Sequence, residues 1–148
     1  MKIISSVFEN KGFIPSKYTC DGQNINPPFL ISDVPKKTQS LVLIMDDPDA
    51  PIGIWVHWVL FNIDPKITKI TENSVPLGAI QAKTNRENNY GGPCPPSGTH
   101  RYFFKLYALD IKLNLTAEAG KSQIEFAMKN HILDQTEIIG LYRRPPKL

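Results

Sequence analysis

The 148-residue chain reads as one mainly-β domain, a sandwich or barrel with one or two short helices towards its C-terminus. Three observations predict this class. Proline is over-represented, with 13 in the chain, nearly twice the roughly 5% average. The prolines cluster, as at Pro27-Pro28, Pro95-Pro96 and Pro145-Pro146, and proline fixes φ and removes a ladder donor, so the clusters mark loops. Between them lie short runs rich in β-branched and aromatic residues, and a single segment near residue 125 carries helical spacing.

Taken in order, residues 40–45, 56–63, 79–83 and 102–109 are predicted strands. In the last, Phe103, Lys105, Tyr107 and Leu109 alternate with Tyr102, Phe104, Leu106 and Ala108, so both faces are largely apolar. That pattern suits a central strand covered on two sides. Ser122-Gln123-Ile124-Glu125 matches a capping box, and apolar spacing continues through Ile124, Ala127, Met128 and His131. A helix over residues 122–130 follows, with Asn130 as a left-handed C-cap and His131 packed on the apolar face. Residues 132–142 form a closing strand. One domain spanning 1–148 is expected, because two halves would each be too small to bury a core.

Composition excludes several function classes. Lys and Arg total 17 against 14 Asp and Glu, a net charge of +3 with the lysines scattered, which argues against nucleic acid as a partner. The longest apolar runs, such as residues 41–45, fall far short of the roughly 20 residues of a membrane helix. No amphipathic membrane helix is evident either, so membrane insertion is not expected. The N-terminus lacks a sustained apolar stretch and a small-residue cleavage site, which makes a cytoplasmic location the expectation. Cys20 and Cys94 are 74 positions apart without C-x-x-C spacing, so neither a zinc site nor a redox motif is indicated. A reducing compartment would keep both as thiols.

Two segments concentrate chemistry. The first runs Asp46-Asp47-Pro48-Asp49-Ala50-Pro51, followed by Trp55-Val56-His57-Trp58. The second runs Tyr90-Gly91-Gly92-Pro93-Cys94-Pro95-Pro96-Ser97-Gly98-Thr99-His100-Arg101-Tyr102. Each also has a plain reading: aspartates after a strand cap their own turn, and a histidine among aromatics packs in a core. Together they place histidines and glycine-freed amides at strand ends, the raw material of an anion nest. A serine hydrolase is disfavoured, since no Gly-x-Ser-x-Gly elbow exists and Ser97 sits among glycine and prolines. Asp46, Asp47, Asp49, His57 and His100 have metal-ligand chemistry, but no spacing demands a metal. The basic tail Arg143-Arg144-Pro145-Pro146-Lys147 is read as a solvated end.

Both segments, with Phe103-Phe104 following the second, resemble the signature regions of the phosphatidylethanolamine-binding protein family. The likeness is greatest to its short prokaryotic branch, described as Raf-kinase-inhibitor-like. Lys17-Tyr18-Thr19-Cys20-Asp21-Gly22-Gln23-Asn24-Ile25 with Pro27-Pro28 resembles the family's early loop, and the stretch from Asn130 to Arg144 its C-terminal end. Asn26, Ile31 and Asn130 stand where the family usually has Ser, Trp and Gly; Ile31 implies a slightly different core beneath the early loop. The resemblance implies a sandwich of two antiparallel sheets with peripheral helices and a small pocket for phosphate or a phosphoryl-ethanolamine head group. By motif position the ligand-binding residues would be Asp47, His57, Gly92, Pro93, His100 and Tyr102, with Asp49, Pro51 and Trp55 lining or buttressing them. Asp47 is expected to hold an imidazole and raise its pKa, or alternatively to hydrogen-bond a protonated phosphate oxygen or meet the ligand's ammonium. No catalytic residue or cofactor is implied. The expected partner is a small phosphorylated ligand or phospholipid head group; the alternative is a protein-interaction inhibitor of a kinase or protease, as monomer or homodimer.

Overall fold

Four long strands form the frame of the computed structural model, which describes residues 1–146; Lys147, the last basic residue of the tail, lies outside the described residues. They are β4 (Ser40–Asp47), β5 (Trp55–Ile63), β8 (His100–Leu109) and β9 (Ile132–Tyr142). With the two-residue strands β2 (Gly12–Phe13) and β7 (Ile80–Gln81) they make a six-stranded sheet in the order β2-β9-β8-β4-β5-β7. A second sheet pairs β1 (Lys2–Ile4), β3 (Phe29–Ser32) and β6 (Lys69–Ile70) in the order β1-β3-β6. All pairings are antiparallel except that of β2 with β9. The predicted sandwich is therefore present, and it is mainly β with one α-helix among the described residues.

Alternation explains the layers. On the inner face of the large sheet, Leu41, Leu43, Met45, Trp58, Leu60, Tyr102, Phe104 and Leu106 pack against Phe29 and Ile31 of the small one. The Phe8, Phe29 and Phe104 rings meet there, with centroids 4.9–6.4 Å apart. Ile31 is buried in this core, as a β-branched residue in a strand covered by a facing sheet should be. On the outer face, Val42, Ile44, Val59, Phe61 and Leu109 are covered by helix α1 (Lys121–Met128), through Ile124 and Met128, and by Leu113 and Ala119. The strand fully buried on both faces is β4. In β8, predicted to have that role, Phe103, Lys105 and Tyr107 are half-buried.

Several local expectations are corrected. The segment predicted at 79–83 narrows to the edge strand β7, although the Ala82 amide still donates to Val59 O at 2.9 Å. The helix is capped two residues earlier than Ser122: Gly120 is the N-cap, and its N–H donates to Gln123 Oε1 at 3.0 Å. Lys121 explains the shift, because its Nζ reaches buried Asp46 at 2.9 Å and draws the first turn onto the sheet. Asn130 is left-handed at φ 67°, which turns the chain before His131. The helical register stops there, so His131 is not packed on the helix; it is half-exposed, with Nδ1 2.8 Å from Asp110 Oδ1. Asn26 is buried and fully used, its amide bonding Pro27 O and Thr71 O and accepting from the Ser74 N–H. Cys20 and Cys94 are not thiols but a disulfide, with Cα atoms 5.5 Å apart. Their separation in sequence hides a proximity that the folded loops create.

Candidate functional site

The end of β4 and the starts of β5 and β8 lie side by side, because β4 runs antiparallel to both neighbours. Asp47 opposes Trp55 and Asp46 opposes Phe103 in register. The two sequence segments singled out above therefore converge at one edge of the sandwich. There they border a cavity of about 740 Å³. Its wall includes Asp47, Pro51, Trp55, His57, Gly92, His100 and Tyr102, together with the Cys20–Cys94 disulfide.

Adjacent aspartates part company because successive strand residues face opposite sides. Asp46 points to the helix side, is 2% exposed, and accepts from Lys105 Nζ at 3.2 Å and Lys121 Nζ at 2.9 Å. Asp47 turns to the cavity side. Its Oδ1 accepts the Asp49 N–H at 2.7 Å, closing the turn, and its Oδ2 receives His100 Nδ1 at 2.7 Å. Asp49 leaves the cavity wall and buttresses the loop instead. It takes the Arg101 N–H, Nε and Nη2 at 2.8–3.0 Å, and this guanidinium holds its carboxyl below the usual range. Of the five residues with metal-ligand chemistry, Asp46 is thus turned to lysines, Asp49 to an arginine and His57 to Gly91, while Asp47 and His100 hold each other.

Two imidazoles flank Tyr102, with ring centroids 5.2 Å away for His57 and 6.4 Å for His100. His57 is clamped to Gly91 at two points: its Nδ1 is 2.7 Å from Gly91 O, and its own carbonyl accepts the Gly91 N–H at 3.0 Å. Burial pushes the His57 pKa below the ordinary imidazole value, against the opposing pull of that carbonyl and of Asp47. The imidazole that Asp47 holds is that of His100; at His57 its upward pull is outweighed by burial. Tyr102 is fully buried, and its hydroxyl makes no hydrogen bond of good geometry among the described residues, although the Cys94 backbone and the Asp47 carboxylate lie near it. Burial first, and the nearby Asp47 charge second, keep that phenol protonated far above neutral pH.

The first two glycine amides of the loop are not free. The Gly91 N–H goes to His57 O, and the Gly92 N–H goes to Asn24 Oδ1 at 2.8 Å. Gly92 is needed for close approach, since a Cβ there would collide with Tyr18 O and Asn24 Oδ1. Pro93 is buried behind the wall, its carbonyl accepting the Cys20 N–H at 3.1 Å. The loop thus holds the early loop in place and leaves side chains to meet a ligand. Residues that sequence reasoning missed are Gln23, Asn24 and Arg86, which also border the cavity, as does Tyr90 at the head of the second segment. Only the early-loop motif signalled the first two; Arg86 reaches the site through a loop without pattern. The tail is not free at Arg144, whose guanidinium grips Asp21 at 2.9 Å beside the Tyr142 hydroxyl.

At its strand ends the sandwich presents an Asp–His pair, a second histidine and a buried tyrosine around a surface cavity. The family model for phosphatidylethanolamine-binding protein matches residues 4–143. The chain belongs to that family. It is 49% identical over 150 residues to a UPF0098 protein of Methanothermobacter thermautotrophicus, covering 97% of this chain and 99% of the relative. Among solved structures, the homologue CT736 of Chlamydia trachomatis superposes with a TM-score of 0.93 at 38% identity, with 97% of each chain covered. YbcL of E. coli, described as a member of the mammalian family, gives 0.90 at 25% identity, covering 97% of this chain and 98% of its own.

Proposed function

We propose that the protein binds a small phosphorylated anion, phosphate or a phosphoryl head group such as phosphoethanolamine, and acts as a regulatory, non-catalytic module. The observation that carries this reading is the orphaned Tyr102 hydroxyl, fully buried between two cavity-lining histidines. A buried polar group without a partner is costly, and a ligand oxygen would satisfy it. Asp47 acts here as a positioning group, with both oxygens committed to Asp49 and His100.

The Asp47–His100 pair resembles two members of a hydrolytic triad, but the hydroxyl of Thr84 on the wall is committed to Glu87 O at 2.7 Å. The wall's cysteines are joined in the disulfide, and Ser97 is exposed outside the lining. Calorimetric titration of phosphate and O-phosphoethanolamine at pH 6.5 tests the reading. Binding to the native protein and its loss in His57→Ala and His100→Ala are expected; unchanged binding in both variants would refute it.

Inhibition of a kinase or protease is the second reading, favoured by Ile52, 83% exposed at the cavity rim, and by Ile54, 55% exposed two residues further along the β4–β5 loop. A pull-down whose kinase or protease is lost on Ile52→Ser but retained on His57→Ala would favour this rim over the pocket. No described helix is long and apolar enough to cross a membrane. A cytoplasmic location belongs to the proposal, and thiol trapping in intact cells checks it against the disulfide: a wholly oxidised pair argues for another compartment or an unusually oxidising cytosol.

A further inference from the structure

The Cys20–Cys94 bridge ties together two segments that lie outside the strands, the early loop and the glycine loop. Neither cysteine is buried: Cys94 is exposed, Cys20 is half-buried, and both border the surface cavity. Both lie outside the two apolar cores. Hydrogen bonds position the two loops independently of the bridge. The Gly92 N–H donates to Asn24 Oδ1 at 2.8 Å, the Cys20 N–H to Pro93 O at 3.1 Å, and the Tyr90 hydroxyl to Tyr18 O at 2.7 Å. Asp21, next to Cys20, is clamped by the Tyr142 hydroxyl at 2.7 Å and by Arg144 at 2.9 Å. These contacts do not depend on the S–S bond, so the bridge can open while the sandwich stays folded. They also keep the sulfurs within reach for re-closure, since the Cα atoms are 5.5 Å apart, a spacing suited to a disulfide. Exposed bridges of this kind are the labile ones in thiol exchange, unlike those sealed in a core.

We propose that the Cys20–Cys94 bridge is a reversible thiol-exchange site, entered at Cys94 by low-molecular-weight thiols and resolved by Cys20. The incoming thiolate attacks Cys94 Sγ. As the new S–S bond forms, the Cys20–Cys94 bond breaks, and its electron pair leaves on Cys20 Sγ, which takes up a proton from solvent. One disulfide is exchanged for another, so the step needs no external oxidant. Re-attack of the Cys20 thiolate on Cys94 Sγ expels the thiol and restores the bridge. A second thiol that attacks the adduct instead carries the pair to the dithiol and is itself oxidised to its disulfide. Exposure sets the order: the accessible sulfur is attacked and the half-buried one leaves. The adduct on Cys94 borders a cavity of about 740 Å³, within the range that houses drug-sized molecules. A tripeptide thiol such as glutathione therefore fits, and the modification falls on the cavity wall itself.

The test is exchange of the native, oxidised protein with reduced glutathione at pH 7.5 without denaturant, quenched in acid and mapped by peptide mass spectrometry. Mixed disulfide on Cys94 should exceed that on Cys20 by at least roughly tenfold, while near-ultraviolet circular dichroism keeps its native form through to the dithiol. Single variants separate the two sulfurs. With oxidised glutathione, Cys94 in Cys20→Ser should take up the adduct at least roughly tenfold faster than Cys20 in Cys94→Ser. The adduct in Cys20→Ser should then persist, because its resolving thiol is gone. Adducts shared equally between the cysteines, or found chiefly on Cys20, would overturn the proposal. So would a bridge that opens only as fast as the whole protein unfolds, with both rates rising together in urea; the disulfide is then a purely structural cross-link.

Discussion

Tyr102 is where folding and binding compete. Its hydroxyl is buried without a partner, and such a group costs about 1–3 kcal/mol. Tyr102→Phe should therefore stabilise the unliganded protein by about 1 kcal/mol, read as a higher midpoint in urea, while weakening phosphate binding by roughly tenfold. Lower stability in this variant would mean the hydroxyl is satisfied in solution. Asp46 makes the opposite case. With the carboxylate 2% exposed between two lysines, Asp46→Asn strips the counter-charge from both and should cost about 3 kcal/mol, again measured by denaturant. At this scale the sequence was informative about residue type and silent about role. The run Asp46-Asp47-Pro48-Asp49 reads as one acidic cluster, yet strand alternation and a turn send its members to lysines, a histidine and an arginine.

Strands long enough to carry a pattern were legible. The starts and ends of β4, β5, β8 and β9 fall within two residues of those expected, and β9 coincides with residues 132–142. Those strands bring both motif segments to one sandwich edge, so the site's location was legible with them. The strands β1, β2, β3, β6 and β7 have two to four residues each. They are held by pairing partners rather than by local periodicity, and two residues cannot display an alternation. The helix was visible in its apolar spacing, but its start depended on Lys121 reaching Asp46 across the fold. The glycine loop shows the same limit: its composition promised free amides, whereas the folded loop consumes them. Gly92→Ala, which forces a Cβ into Tyr18 O and Asn24 Oδ1, should cost about 2 kcal/mol or more. It should also displace the early loop from the cavity wall, visible as faster amide exchange at Asn24 and Gly92.

Across the whole molecule, the disulfide and the buried histidine set how stability responds to conditions. The Cys20–Cys94 bridge closes a loop spanning 74 positions, and the chain-entropy model assigns a loop of that size about 4 kcal/mol. Reduction, or Cys20→Ser with Cys94→Ser, should lower the melting temperature by about 10 °C. The loop contacts at Gly92 and Pro93 should keep the fold intact. For His57 the folded pKa lies below the unfolded value of about 6.5. The unfolded chain then binds more protons, so His57 lowers stability as pH falls through about 6.5 towards the folded pKa. His57→Gln should flatten that part of the profile in denaturant titrations between pH 7.5 and 5. Pairing the cysteines was not legible, because proximity across the two loops is a property of the assembled sandwich.

A crystal structure of the complex with O-phosphoethanolamine at pH 6.5 is the most direct measurement of the central claim. The account predicts phosphoryl oxygens within hydrogen-bond distance of His57 Nε2, His100 Nε2 and the Tyr102 hydroxyl. A ligand seated away from this triad, or a Tyr102 hydroxyl still unpartnered in the occupied cavity, would contradict it.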